Sequence, residues 1–112
     1  MAKSKANGPK TLHLVLKSQW FDKIESGEKK TEYRQCKNYW NKRLAGIEIS
    51  DGQVVMGFDS NFAHRFSSVV FHKGYTNRIM EFAIYRIHVI TGQPNDLGLF
   101  QCWAIDLGQR IQ

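Results

Sequence analysis

Gly27-Glu28-Lys29-Lys30-Thr31-Glu32-Tyr33-Arg34 is the stretch on which the fold turns. It begins directly behind a short amphipathic run in which Trp20, Phe21 and Ile24 fall on one helical face. Ser18 precedes that run and can cap it through its hydroxyl. Gly27 stands where the end of a helix favours a left-handed residue. The spacing therefore predicts a helix over 19–26, a glycine stop, and an extended segment from about 30 to 34. Alternate side chains of an extended segment share a face. Lys30, Glu32 and Arg34 then lie on one face and Thr31 and Tyr33 on the other. Lys29 sits at the strand entrance, where its side chain can lean over the mouth of a cleft.

On the N-terminal side, Leu12, Leu14 and Leu16 alternate with His13, Val15 and Lys17, a strand pattern. On the C-terminal side, Asn38 can cap a second short helix over 39–44 that carries Trp40 and Arg43. Ile47 and Ile49, then Asp51-Gly52, then Val54, Met56 and Phe58 read as a hairpin. A loop over 59–65 leads to a strand over 67–71 and a turn over 73–77. Residues 79–90 form a long strand, with Ile79, Ala83, Tyr85, Ile87 and Val89 on one face. Met80, Phe82, Ile84, Arg86 and His88 are expected on the other. A turn-rich connection over 91–97 precedes a last strand over 101–107, with Trp103, Ile105 and Leu107 on one face. Trp20 and Trp103 are assigned to the core. Residues 1–10 read as a flexible basic arm and 11–112 as a single domain. The expected architecture is α+β: a small, partly closed barrel of five to six mostly antiparallel strands with two short helices at one end.

A chain of 112 residues suits one domain. The formal charge of +6 favours a polyanionic partner, nucleic acid first. Lys29, Lys30, Arg34, Lys37, Lys42 and Arg43 crowd into one short region, a better binding surface than the lysines of the arm. No apolar run reaches the roughly 18 residues needed to span a bilayer, and no membrane partner is expected. Cys36 and Cys102 read as reduced thiols of a cytoplasmic protein. Cys36 lies near Arg34 and Lys37, cations that can lower a thiol pKa. His13, His64, His72 and His88 show no metal spacing, and no P-loop, dinucleotide fingerprint or Gly-x-Ser-x-Gly elbow occurs. No metal and no cofactor are expected.

The order strand, short helix, Gly-x-Lys-x-x-Glu-x-Arg, then strands resembles the ASCH family, a branch of the PUA-like barrels. The matching residues are Lys17, Trp20, Phe21 and Ile24, then Gly27, Lys29, Glu32 and Arg34. Val69-Val70-Phe71-His72-Lys73-Gly74-Tyr75 and Trp103-Ala104-Ile105-Asp106-Leu107-Gly108 are similar to segments of small bacterial and phage members. The resemblance runs from Leu12 nearly to the end, with the 46–61 hairpin outside the familiar pattern. It implies a PUA-like barrel whose cleft, between barrel and helices, accepts RNA or a nucleobase. One branch resembles an amidohydrolase that deacylates the exocyclic nitrogen of an acylated cytidine, and others are reported as ribonucleases. The catalytic lysine of the amidohydrolase branch matches Lys29. Its threonine three residues later is Glu32 here, and its later glutamate finds only Glu81.

Lys29 and Glu32 are thus the catalytic candidates. Lys29 is either an oxyanion-stabilising or nucleophile-activating ammonium, or a lysine that simply binds phosphate. Glu32 either accepts a hydrogen bond from a base edge or forms a same-face ion pair with Arg34. Lys17, Lys30, Tyr33, Arg34, Trp40, Arg43 and Tyr75 are the ligand-binding candidates. Trp40, Tyr33 and Tyr75 offer stacking surfaces, and Trp40 and Arg43 share a helical face. The leading expectation is a module that binds RNA or a modified nucleoside. The alternative is a hydrolase acting on that ligand, and a protein-binding accessory domain comes third.

Overall fold

Leucines at every second position from Leu12 to Leu16 bury one side of the first strand and leave the other exposed. The same alternation organises the computed structural model of the chain, which describes residues 10–46 and 65–112. The elements are β1 (Lys10–Leu16), α1 (Ser18–Glu25), β2 (Thr31–Gln35), α2 (Asn38–Ala45), β3 (Phe66–Lys73), β4 (Ile79–Thr91) and β5 (Gln101–Arg110). The five strands form one sheet in the order β1-β3-β4-β5-β2. β1 runs parallel to β3, and the other three pairings are antiparallel. The sheet curls into a half-barrel, so that its edge strands β1 and β2 line opposite sides of one cleft. This is the α+β architecture expected from the alternating patterns. The first nine residues of the expected arm and the expected 47–58 hairpin lie outside the described residues, as does most of the expected 59–65 loop.

The inner face of the sheet packs on both helices. Leu12, Leu14, Val69, Phe71, Trp103 and Ile105 meet Phe21 and Ile24 of α1 and Leu44 of α2 in one buried cluster. The Trp103 indole donates at 2.8 Å to Oδ1 of Asn41, itself fully buried. That bond satisfies the one polar atom of the largest core side chain, as burial requires.

Three expectations need correction. Ser18 and Asn38 are the first helical residues, not the caps; Lys17 and Lys37 hold the cap positions, with no side-chain cap bond. Each helix starts one residue early, and its first amides forgo the hydroxyl or amide acceptor the sequence offered. The faces of β4 are the second correction. Met80, Phe82 and Ile84 face the core before Ile87 and Val89 do, while Ile79 and Tyr85 are exposed. The reason is a bulge. From Ile84↔Leu107 to Arg86↔Asp106 the register advances two residues on β4 against one on β5. A bulge inserts one residue and inverts the alternation beyond it. β5 carries the compensating excess between Leu107 and Arg110, around Gly108. A Cβ at Gly108 would stand 3.4 Å from the Ala83 carbonyl oxygen. Third, Trp20 is only partly buried; it packs on the core with one side and lines the cleft with the other.

Candidate functional site

The turn after α1 decides where Lys29 goes. Gly27 takes φ +86°, the left-handed value expected of it. Its N–H donates to the Ile24 carbonyl at 3.1 Å, and the Lys29 N–H reaches back to the Lys23 carbonyl at 3.0 Å. The backbone of Lys29 is thereby fixed to the helix end before β2 begins. Its side chain folds inward and is only 9% exposed.

Within β2, Glu32 and Arg34 point to the inner face opposite Ile105 and Trp103, and Tyr33 points outward opposite Ala104. The expected alternation holds for these residues. Glu32 is buried. Its Oε2 accepts from Arg34 at 2.8 Å, and its Oε1 lies 3.5 Å from Lys29 Nζ. Lys29 makes a second ion pair with Asp96 on the β4–β5 connection. The result is a continuous chain, Asp96–Lys29–Glu32–Arg34, in which neighbouring charges alternate in sign. Lys29, Glu32 and Arg34 are compensated where water is scarce, the condition under which buried ions are tolerated.

Aromatic rings flank this chain. Lys29 Nζ is 4.7 Å from the centroid of Tyr33 and 5.4 Å from that of Trp20. The Arg34 guanidinium lies 4.9 Å from the Trp40 centroid and the Arg43 guanidinium 5.6 Å from it. These are cation–π distances. Nε of Arg34 is buried and has no hydrogen-bond partner among the described residues.

Three adjoining cavities open here. The largest, about 340 Å³, runs between the sheet edges and is lined by Val15, Leu16, Lys17, Trp20, Glu32, Tyr33, Arg34, Gln35, Trp40 and Leu97. A chamber of about 250 Å³ is lined by Trp20, Lys23, Glu28, Lys29, Lys30, Thr31, Tyr33 and Asp96. A neck of about 70 Å³ is lined by residues of both, among them Trp20, Tyr33, Lys29 and Asp96. Burial, and after it the nearby Asp96, raises the Tyr33 phenol above its ordinary pKa, so the ring stays neutral through the physiological range.

Of the candidates, Lys17, Glu32, Tyr33, Arg34 and Trp40 line the large cavity and Lys29 and Lys30 the basic chamber. Arg43 stands behind Trp40, donating to the Tyr39 hydroxyl at 3.3 Å and to the His13 carbonyl at 2.8 Å. Tyr75 is fully exposed in the β3–β4 turn and lines none of these three cavities. Glu81 also lies elsewhere: it accepts from the Ser68 hydroxyl at 2.6 Å. The acid that does reach Lys29, Asp96, was missed by sequence reasoning, as were Leu97 and the cleft-facing side of Trp20. A turn-rich loop carries no periodicity from which Asp96 could have been singled out. Cys36 is not activated. Burial, and after it the nearby Cys102, pushes its thiol up to about 12. No group of three or more metal-ligating side chains occurs among the described residues. No helix among them is long and apolar enough to cross a membrane.

Comparison with family models, with curated proteins and with solved structures finds no match to this chain.

Proposed function

We propose that this protein is an ASCH-type binding module that holds RNA or a modified nucleobase in the cleft between β1 and β2. One observation carries the reading. Three aromatic rings, Trp20, Tyr33 and Trp40, surround a cavity of about 340 Å³ whose polar lining includes a buried carboxylate and a guanidinium, Glu32 and Arg34. Aromatic faces stack on a splayed base, and a carboxylate beside a guanidinium offers acceptor and donor to its edge. The exposed lysines at 17, 23 and 30 put positive charge at the rims of the cavities, where a phosphate backbone would run. The reading goes with a cytoplasmic setting, in which the two free thiols stay reduced.

Binding ranks above hydrolysis because of how Lys29 and Cys36 are held. Lys29 is engaged by two carboxylates, and among the described residues no serine or cysteine lines the chambers with it, Thr31 donating instead to Asp106 at 2.9 Å. Titration of the protein with a mixed-sequence single-stranded RNA tests the reading. Affinity should fall linearly with salt on a log–log plot. Absence of binding at low salt, or affinity flat with salt, would defeat it. Incubation with acylated cytidine, with Lys29→Ala as control, tests the hydrolytic alternative. Turnover lost in the variant would replace the binding reading with an enzymatic one.

A further inference from the structure

We propose that the basic chamber beside the aromatic cavity is a phosphate subsite, and that Asp96 occupies the position of the ligand's phosphate until ligand arrives. The inference rests on the nucleotide reading of the neighbouring cavity. Among the described residues, Lys23, Lys29 and Lys30 line the chamber together with two carboxylates, Glu28 and Asp96. Glu28 stands 3.7 Å from Lys23, and Asp96 pairs with Lys29. Lys30 is exposed and has no carboxylate partner among the described residues. Three lysines thus line one chamber in which Asp96 pairs with Lys29 alone, an arrangement that suits a phosphate equally well, since carboxylate and phosphate are both anionic oxygen acceptors. Trp20 and Tyr33 line both chambers, so a base stacked in the larger one places its sugar–phosphate within reach of the smaller.

Asp96 is suited to give way. Its side chain is 37% exposed, and it belongs to the loop joining β4 to β5 rather than to the sheet. The loop does not depend on it for shape. The Asn95 amide group donates to the carbonyls of Gln93 and Leu99, and its oxygen accepts from the amides of Leu97 and Leu99. Asp96 thus acts as an internal competitor. Anions too weak to displace it are excluded, and a strand carrying phosphate next to a bound base is admitted.

The test titrates wild type, Asp96→Asn and Lys30→Ala with inorganic phosphate, followed by backbone amide shifts, and with a mixed-sequence RNA hexamer. Asp96→Asn should bind phosphate about fivefold more tightly, with the shifts centred on residues 29–31, and should bind the hexamer more tightly too. Lys30→Ala should weaken both by a similar factor. Should Asp96→Asn fail to fold, Lys30→Ala alone decides, because its exposed side chain supports no packing. Phosphate binding unchanged in the variants, or shifts mapping elsewhere, overturns the subsite. Hexamer binding that persists unaltered in both variants overturns it while leaving the nucleotide reading intact. A hexamer bound by none of the three proteins overturns the nucleotide reading, and the phosphate arm then judges the chamber by itself.

Discussion

Strand β2 carries a polar cluster on each of its faces, and the two differ in what surrounds them. On the outer face, Asp106 accepts from the Thr31 hydroxyl at 2.9 Å, lies 2.9 Å from His88 Nε2 and 3.4 Å from Arg86 Nε. On the inner face, Glu32 holds Arg34 and Lys29, and Lys29 holds Asp96. By residue type the outer cluster looks the more catalytic, with an aspartate bonded to a histidine. Its members other than Thr31 line none of the three cavities, and Asp106 has its donors already in place. The inner cluster lines all three, lies among aromatic rings, and leaves Arg34 Nε without a partner among the described residues. Titratable residues gathered together are therefore weak grounds for a site. Gathered beside an aromatic cavity, they are stronger grounds.

Glu32 is the most buried residue of the two clusters. Glu32→Ala strips the acceptor from two cations in a water-poor cleft, and should cost about 3–5 kcal/mol in urea unfolding, as loss of one partner of a buried ion pair does. It should also abolish RNA binding. Asp106→Ala should cost less, about 1–3 kcal/mol for donors left unsatisfied on a partly wet face, and should leave RNA affinity unchanged. If Asp106→Ala alone destroys binding, the two faces have been assigned the wrong way round. Trp40→Ala should weaken RNA binding by about 1–3 kcal/mol, the contribution of one stacked base, with an unchanged far-UV circular dichroism spectrum.

What the sequence made legible follows from periodicity. The Leu12–Leu16 alternation, the Gly27 stop and the shared face of Glu32 and Arg34 are local consequences of period and chirality, and the structure has them as expected. The faces of β4 were not legible, because a bulge is a relation between two strands and the residues of β4 itself carry no mark of it. Asp96 lies 67 residues from its partner Lys29, and a loop acid has no pattern that points to a distant lysine. Trp20 reads as core from its helical face, and only the curl of the sheet turns its other side to the cleft.

A smaller effect is expected in alkali. The Cys36 thiol is raised from an ordinary 9.0 to about 12 in the folded chain. Its contribution to stability is therefore complete below pH 9 and is lost as pH climbs from 9 toward 12, because the unfolded chain releases the proton first. Urea midpoints measured across that range should fall less steeply for Cys36→Ala than for the wild type. Identical slopes would mean that the thiol is not desolvated as described. At neutral pH the same burial should leave Cys36 slow toward iodoacetamide relative to a free thiol.

The most direct test of the cleft is the map of amide chemical-shift changes when a single-stranded RNA oligomer is added at low salt. The largest changes are expected at Lys17, Trp20, residues 29–35, Trp40 and residues 96–97, with Arg86, His88 and Asp106 nearly silent. Changes centred on Arg86, His88 and Asp106, or none at all, would contradict it.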